Sequence, residues 1–218
     1  MLYFTDERGS SVPVEPRAFT IAGYTGRDRA MVQKHIDELE REGIAPPPEV
    51  PMWYEMPPEL LTTAGIINVE SPQSCGEVEP VLIGIDGALY LGIGSDHTAR
   101  DVEREDIATS KRVCPKPMGR AIQRIASLDA AFDALTLESW IDNEPYQSGR
   151  VGQIVPLATL LDGFRSRTKA TTFVLSCGTV PLLTHGFRFG KKFTARISGS
   201  PLADPLELEY TTNVKERS

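Results

Sequence analysis

The sequence predicts an α+β fold in which strands dominate. Short apolar or alternating segments outnumber the segments with a helical period, and turn residues separate most of them. No internal repeat or low-complexity tract interrupts this pattern. A chain of 218 residues is long enough to bury a substantial core, so we expect residues 1–218 to form one domain.

Four elements are expected in the first 43 residues. Residues 2–5 and 11–14 are short apolar segments on either side of a polar turn, a pattern typical of a hairpin. Residues 18–24 are largely apolar and predict a third strand. Over residues 27–42 the apolar side chains recur at helical spacing, and Gly43 is suited to end that helix.

The middle of the chain combines a proline-rich loop with a strong hairpin signal. Six prolines among residues 46–58 predict a stiff extended loop, in which Trp53 and Tyr54 are expected to pack or to form a pocket wall. Residues 60–69 predict a strand pair or an irregular core segment. The apolar segment that follows is divided by Asp86-Gly87, a dipeptide that favours a tight turn between two strands.

Beyond residue 100 the chain alternates between charged, proline-containing and apolar segments. The charged residues 101–106 predict a short helix or a surface loop, and the prolines within 109–117 predict extended backbone. The spacing of apolar residues predicts helices over 118–128 and 154–166. Strands are also predicted at residues 132–140, 173–177 and 206–210, and residues 187–197 are expected to contain a turn and an alternating strand.

The charge of the chain bears on the class of ligand it binds. With 40% apolar and 24% charged residues the composition is that of an ordinary soluble protein. A net charge of −7 argues against nucleic-acid binding, which needs a basic face. A small anionic substrate is still compatible with it, because a local pocket of arginine or lysine suffices.

The cysteines and the N-terminus favour a cytoplasmic protein. Cys75, Cys114 and Cys177 are odd in number and lack the spacing of a zinc site, so we expect reduced thiols. The N-terminus lacks the basic region and apolar run of a signal peptide. No stretch of 18 apolar residues predicts a membrane span.

Three carboxylates are expected to converge at the open end of the Asp86-Gly87 hairpin. Glu77 and Glu79 alternate along the start of the first strand and share one face, and Asp96 follows the returning strand. Like charges held close need a partner, and an all-oxygen set favours Mg²⁺, Mn²⁺ or Ca²⁺. The pattern also fits a charged strand edge with a turn aspartate, so both interpretations stay open.

A histidine and two lysines are further candidates. His35 and Glu38 lie three residues apart on the predicted helix and are surface neighbours. They fit a base with its orienting carboxylate, or a histidine beside the apolar face that a nearby acid stabilises. Lys111 and Lys116 fit exposed lysines or, near a carboxylate cluster, groups that hold a substrate oxyanion.

Five short motifs resemble, in order, those of the fumarylacetoacetate hydrolase superfamily. A His-x-x-Glu pair precedes Glu-x-Glu-Pro at residues 77–80, and Gly-x-Gly-x-Asp-x-Thr-Ala-Arg-Asp follows at 92–101. A lysine before Cys-Pro and the segment Ser-Cys-Gly-Thr-Val-Pro at 176–181 complete the set. The segments Ser-Asp-His-Thr-x-Arg and Ser-Lys-x-x-Cys-Pro-Lys-Pro resemble the DUF2848 family, a subgroup without an assigned activity.

The resemblance implies a mixed β-sandwich or β-roll and a role for each motif residue. The implied roles are a Mg²⁺ or Mn²⁺ site at Glu77, Glu79 and Asp96; a water-activating dyad of His35 and Glu38; a catalytic Lys111; and substrate contacts from Arg100, His97, Gly178 and Thr179. His97 fits equally well as a residue that caps the local turn. The resemblance also implies a homodimer.

The implied activity is that of a metal-dependent hydrolase or lyase. Such an enzyme cleaves a C–C bond in a β-diketo or α-keto acid through an enolate that the metal stabilises. Enol–keto tautomerisation or decarboxylation on the same site is one alternative. A non-catalytic protein that binds metal or ligand is the other.

Overall fold

A computed structural model describes residues 1–41 and 43–215, and strands dominate it as the sequence predicts. The strands are β1 (Leu2–Thr5), β2 (Ser11–Val14), β3 (Ala18–Gly23), β4 (Met52–Met56), β5 (Leu61–Thr62), β6 (Ile66–Val69), β7 (Ser74–Cys75), β8 (Val78–Ile85), β9 (Ala88–Ser95), β10 (Thr98–Ala99), β11 (Lys116–Pro117), β12 (Gln123–Ile125), β13 (Thr136–Ile141), β14 (Glu144–Arg150), β15 (Phe173–Ser176), β16 (Lys192–Ser198) and β17 (Leu206–Val214). The helices are α1 (Arg29–Arg41), α2 (Arg100–Glu103), α3 (Ile107–Arg112) and α4 (Leu157–Arg165).

Two mixed sheets organise the chain. The larger sheet has six strands in the order β12-β9-β8-β15-β3-β4, with β15 parallel to β3 and antiparallel to β8. The smaller sheet has five strands in the order β14-β13-β16-β17-β6, and β6 joins it in parallel. This mixed architecture confirms the predicted fold class.

The two sheets pack face to face over a shared core. Leu82 and Leu91 of the larger sheet and Leu137 and Ile197 of the smaller one belong to the same buried cluster. Along β16 every second residue is buried, as expected for a strand with one face on the core. The burial of this apolar face against the larger sheet is the main contribution to its stability.

The β8–β9 hairpin is the centre of the larger sheet and is buried on both faces. Leu82 lies in the shared core, whereas Val81 and Ile83 face a second cluster that the β1–β2 hairpin helps to cover. Its turn has positive φ at both Asp86 (46°) and Gly87 (92°), the conformation that suits a two-residue hairpin. The hairpin predicted from Asp86-Gly87 is therefore confirmed.

The structure corrects four local predictions. The strand predicted over 132–140 begins only at Thr136, because residues Ala130–Ala134 form a short 3-10 helix that the Asp129 side chain caps. Residues 118–128 do not form a helix, because residues Gln123–Ile125 pair with β9 as β12. Gly119 lies so close to the backbone of Glu207 that a side chain there would not fit. Residues 107–112 form α3, so the prolines enforce extended backbone only after it. The loop at 46–58 contains β4, whose residues pair with β3.

The helices predicted over 27–42 and 154–166 are both present as α1 and α4. Val32 and Ile36 are the buried residues of α1, and the predicted end at residue 42 lies outside the described residues. Leu160, Leu161 and Phe164 bury the apolar face of α4. Within residues 1–41 and 43–215, no helix combines the length and the apolar character needed to cross a bilayer.

Removal of one core side chain tests this packing. Leu82 has no exposed surface, so Leu82→Ala is expected to lower the free energy of unfolding by about 2–5 kcal/mol. Leu183 is 56% exposed, and the matched Leu183→Ala change is expected to stay within about 0.5 kcal/mol. Urea unfolding of both variants makes the comparison, and equal losses would refute the placement of the hairpin in the core.

Candidate metal and substrate site

The open end of the β8–β9 hairpin brings the three predicted carboxylates together. Antiparallel pairing sets Glu79 opposite Gly94, and the backbone N–H of Asp96 donates to the carbonyl oxygen of Glu77 at 3.0 Å. Glu77, Glu79 and Asp96 therefore lie at the same end of the hairpin, where the charges of Asp96 and Glu77 act on Glu79. This local convergence follows from the alternation along β8 and from the tight turn at its far end.

Glu79 is a buried carboxylate without a cationic partner. It is 3% exposed, and its Oε2 accepts a hydrogen bond from the backbone N–H of Gly178 at 3.3 Å. Among residues 1–41 and 43–215 no basic side chain forms an ion pair with it. Burial, and then the negative charge of Asp96, raise the pKa of Glu79 to about 8. A positive charge placed beside it would reverse that shift.

Asp96 has the opposite environment, because two lysines hold its carboxylate. Lys111 donates to Oδ2, Lys116 donates to Oδ1 at 2.9 Å, and the Thr98 hydroxyl donates to Oδ1 at 3.2 Å. Burial alone would raise the pKa of Asp96, but Lys111 and Lys116 hold it far below its usual range. Burial acts against the charged form of Lys111 too, and the Asp96 carboxylate raises its pKa. Asp96 is thus ionised and paired throughout the physiological range.

Glu77 is paired with Arg100, which the protein holds on several sides. Arg100 Nη2 donates to Glu77 Oε2 at 2.6 Å, and Nη1 donates to both oxygens of Glu103 at 2.9 Å. Its Nε contacts Cys75 Sγ at 3.4 Å, and the ring of Phe187 lies 3.8 Å from the guanidinium carbon. These contacts use the fork of Arg100 to fix Glu77 and leave little of it free for a ligand.

The three carboxylates offer the oxygen atoms that a hard divalent cation prefers, but two of them are already ion-paired with basic side chains. Glu79 is buried and lacks a cation, whereas Asp96 and Glu77 are already paired. In the described part of the chain, no group of three His, Cys, Asp or Glu side chains is gathered closely enough to hold a metal ion. Metal binding here therefore requires Lys111 or Arg100 to release its carboxylate.

His97 lies in the interior and links the two sheets. Its Nδ1 hydrogen-bonds with the Tyr210 hydroxyl at 2.8 Å, and its Nε2 with the Ser74 hydroxyl at 3.1 Å. Burial, followed by the nearby Lys116 and Arg100, lowers the pKa of His97 to about 3, so the ring is neutral. With both ring nitrogens engaged by protein groups, His97 is placed to hold the backbone next to Asp96.

The segment after β15 closes one side of the site. Gly178 has φ +90°, and a Cβ there would lie 1.7 Å from the hydroxyl oxygen of Thr25, so glycine is required. The Thr179 hydroxyl donates to the Val78 carbonyl oxygen at 2.6 Å. The Gln147 side-chain amide donates to the Thr179 hydroxyl at 2.7 Å and thereby anchors this segment to the smaller sheet. Thr179 is thus held by the start of β8.

His35 and Glu38 lie on the exposed face of α1, away from the carboxylates. In the described residues they do not hydrogen-bond with each other, and the basic partner of Glu38 is Lys34 at 3.9 Å. The ring of His35 lies 6.2 Å from that of Tyr24, centroid to centroid. His35 therefore lies next to Tyr24.

One residue of the site, Tyr24, carried no sequence signal, and the contacts of Tyr54 and Lys116 were predicted only in general terms. Tyr24 is a non-glycine residue with φ +54°, and burial followed by the charge of Glu103 raises the pKa of its phenol. Tyr54 on β4 presents its ring 5.4 Å from Lys111 Nζ. Lys116, expected as an exposed lysine or an oxyanion contact, is 2% exposed and bound to Asp96. Only the flanking prolines of Lys116 indicate a fixed backbone at that position.

The chain matches one protein-family model and several solved structures that share its fold. The family model "Protein of unknown function (DUF2848)" matches residues 22–210. No curated protein matches the sequence. Solved structures with the same fold include an Oleispira antarctica protein provisionally assigned as a fumarylacetoacetate isomerase/hydrolase, with a TM-score of 0.70, 15% identity, and coverage of 98% of this chain and 100% of the other.

Two further structures share this fold. Fumarylpyruvate hydrolase from Pseudomonas aeruginosa, in complex with Mn²⁺ and pyruvate, has a TM-score of 0.64 and 14% identity, with 98% of this chain and 96% of the other covered. The 2-hydroxyhepta-2,4-diene-1,7-dioate isomerase of Mycobacterium marinum has a TM-score of 0.67 and 13% identity, with coverage of 94% and 77%. These likenesses show the fold, and they confirm the fold implied by the motifs.

The raised pKa of Glu79 predicts how the stability of metal-free protein depends on pH. A carboxyl group with a pKa of about 8 in the folded state binds its proton more tightly there than in the unfolded chain, where the value is 4.5. The contribution of Glu79 to the free energy of unfolding is therefore fully present below about pH 4.5 and is lost as the pH rises toward 8. The loss is a few kcal/mol at most, because one pKa unit is about 1.4 kcal/mol.

Glu79→Gln should remove this dependence, because the amide does not ionise. Chemical denaturation at several pH values between 5 and 8, in the presence of a chelator, measures the slope for both proteins. The exposed Glu209→Gln change is the matched control and should keep the wild-type slope. An identical slope in Glu79→Gln and wild type would contradict the assignment of an uncompensated Glu79.

Proposed function

The chain belongs to the DUF2848 family, and we propose that it is a divalent-metal-dependent hydrolase or lyase that cleaves a C–C bond in a β-diketo or α-keto acid. The observation that carries this proposal is the buried Glu79 carboxylate, which lies beside Asp96 and has no cation of its own. The shared fold supports it as well, since one structure with this fold contains Mn²⁺ and pyruvate. A small anionic keto acid is the substrate class we propose, and a homodimer the assembly.

Glu77, Glu79 and Asp96 would hold the metal ion, either Mg²⁺ or Mn²⁺. All three offer carboxylate oxygens, which these hard cations prefer, and all three lie at one end of one hairpin. When bound, the metal would act as a Lewis acid that stabilises the enolate formed as the bond breaks. Glu79 would gain the counter-charge that it lacks in the metal-free protein.

Lys111 is positioned to neutralise negative charge on the substrate. It lies at the end of α3, contacts the outer oxygen Oδ2 of Asp96, and is next to the Tyr54 ring. Once Asp96 binds a cation, the Lys111 ammonium is free to donate to a substrate oxyanion or carboxylate. The backbone N–H of Gly178, now on Glu79, is a second donor that faces the site.

His35 is the proposed general base, with Glu38 as its orienting carboxylate. The imidazole would take a proton from water or from a substrate carbon, and the carboxylate would stabilise the imidazolium that forms. Both residues are on α1, away from the carboxylates, and His35 lies next to Tyr24. The proposal therefore includes an approach of α1 toward the carboxylates when substrate binds.

Two other functions use the same residues. An enol–keto tautomerase or decarboxylase would need no water at His35, and one structure with this fold is an isomerase. Product analysis in ¹⁸O-labelled water separates the reactions, because only hydrolysis places one labelled oxygen in a newly formed carboxylate, where it does not exchange with the solvent. A non-catalytic metal- or ligand-binding protein would show metal binding without turnover on a keto-acid panel. The three carboxylates and Lys111 together favour an enzyme.

Removal of a metal ligand tests the proposed site. Glu79→Ala and Asp96→Ala are each expected to lower metal affinity on the order of 100-fold or more and to abolish turnover, because each removes an anionic oxygen donor. Calorimetric titration with Mn²⁺ and assays on a panel of β-diketo and α-keto acids measure the two effects. Glu209→Ala, an exposed glutamate on β17, is the matched control. Full activity in either ligand variant would overturn the proposal.

His35→Ala separates the base from the metal site. Loss of a general base is expected to lower kcat by about 10²–10⁴-fold, while Mn²⁺ affinity stays at the wild-type value. The exposed His185 gives the matched control, since His185→Ala should leave both quantities unchanged. Steady-state kinetics with titration of Mn²⁺ make the measurement. A His35→Ala enzyme with wild-type kcat would remove His35 from the mechanism.

A further inference from the structure

The two lysines on Asp96 differ in how firmly the protein holds them. Lys116 Nζ donates to Asp96 Oδ1 at 2.9 Å and to the His97 carbonyl oxygen at 2.5 Å, and its side chain is 3% exposed. Its backbone is part of β11, which pairs with β5. Two acceptors, burial and a paired backbone fix this ammonium in place.

Lys111 has fewer hydrogen-bond acceptors than Lys116, and its side chain is somewhat more exposed. In the described contacts, Asp96 Oδ2 is the hydrogen-bond acceptor of its ammonium, and its side chain is 10% exposed. It extends from the last turn of α3 toward the ring of Tyr54. Withdrawal of Lys111 costs one ion pair, whereas withdrawal of Lys116 would also leave a buried carbonyl oxygen unpaired. Lys111 is therefore the lysine that can release Asp96.

The charges in this cluster are nearly balanced before any metal binds. Three carboxylates, those of Glu77, Asp96 and Glu103, form ion pairs with the three cations Arg100, Lys111 and Lys116. The buried Glu79 carboxyl group has no basic partner among the described residues. A divalent ion added to this set produces an excess of positive charge in a buried place, which is unfavourable without an anion. A ligand that carries a carboxylate or an enolate would restore the balance.

On the premise that the proposed metal site exists, we propose that Lys116 is a fixed counter-charge on Asp96. Because Lys116 occupies Oδ1, only Oδ2 of Asp96 is left for the metal. The positive charge of Lys116 then makes metal binding depend on an anionic ligand. Lys116 acts through Asp96 and does not touch the substrate, so it is a positioning residue. The site then binds its metal weakly in the absence of substrate and tightly when an anionic, metal-chelating substrate is present.

The experiment is a calorimetric titration of metal-stripped protein with Mn²⁺, with and without oxalate as the anionic chelator. Wild type should bind Mn²⁺ weakly alone and about tenfold or more tightly with oxalate. Lys116→Met and Lys116→Gln remove the charge, and Gln keeps a hydrogen-bond donor for Asp96. Both variants should bind Mn²⁺ alone about tenfold or more tightly than wild type and show a smaller effect of oxalate. Lys192→Met, which removes an exposed lysine, should match wild type.

The outcomes separate this inference from the proposed function. If wild type binds Mn²⁺ with oxalate but the folded Lys116 variants bind Mn²⁺ alone no more tightly than wild type, the role of Lys116 is refuted and the metal site stands. If wild type binds Mn²⁺ equally well with and without oxalate, the inference fails irrespective of the variants. If wild type and variants bind no Mn²⁺ under either condition, both proposals fall. Thermal melting identifies any variant that does not fold.

Discussion

The need to compensate buried carboxylates is the constraint on which the candidate site depends. Glu79 and Asp96 are each no more than 3% exposed at the end of a hairpin whose faces are both in the core. A buried charge is tolerated only when it is paired or neutralised. Asp96 is paired with two lysines and Glu77 with Arg100, whereas Glu79 has no basic partner among the described residues, and burial raises its pKa.

The fold keeps this arrangement rigid by tying the larger sheet to the smaller one. The Tyr210 hydroxyl on β17 hydrogen-bonds with both His97 and Ser95, and a Cβ at Gly76 would lie 2.3 Å from that hydroxyl. Gln147 on β14 anchors Thr179 in the same way. The backbone on either side of the carboxylates is therefore fixed.

Local sequence patterns predicted the part of the site that local structure creates. The turn at Asp86-Gly87 and the alternation of Glu77 and Glu79 were sufficient to place Asp96 beside them, because one hairpin contains all of these residues. The contacts of Lys116 depend on how β11 packs against β5, residues far apart in sequence, and no local pattern encodes them. The helix predicted over 118–128 is wrong for a related reason. The apolar residues do recur at helical spacing, but the pairing of this segment with β9 overrides that local preference.

We infer that a divalent cation would complete the set of Glu77, Glu79 and Asp96 and would displace Lys111 while Lys116 stays. The most direct measurement is a crystal structure of the protein with Mn²⁺ and oxalate, with anomalous scattering recorded at the manganese edge. The account predicts one strong peak bounded by these three carboxylates, with Lys111 turned away from Oδ2 of Asp96. A peak elsewhere, or no peak while both lysines remain on Asp96, would contradict it.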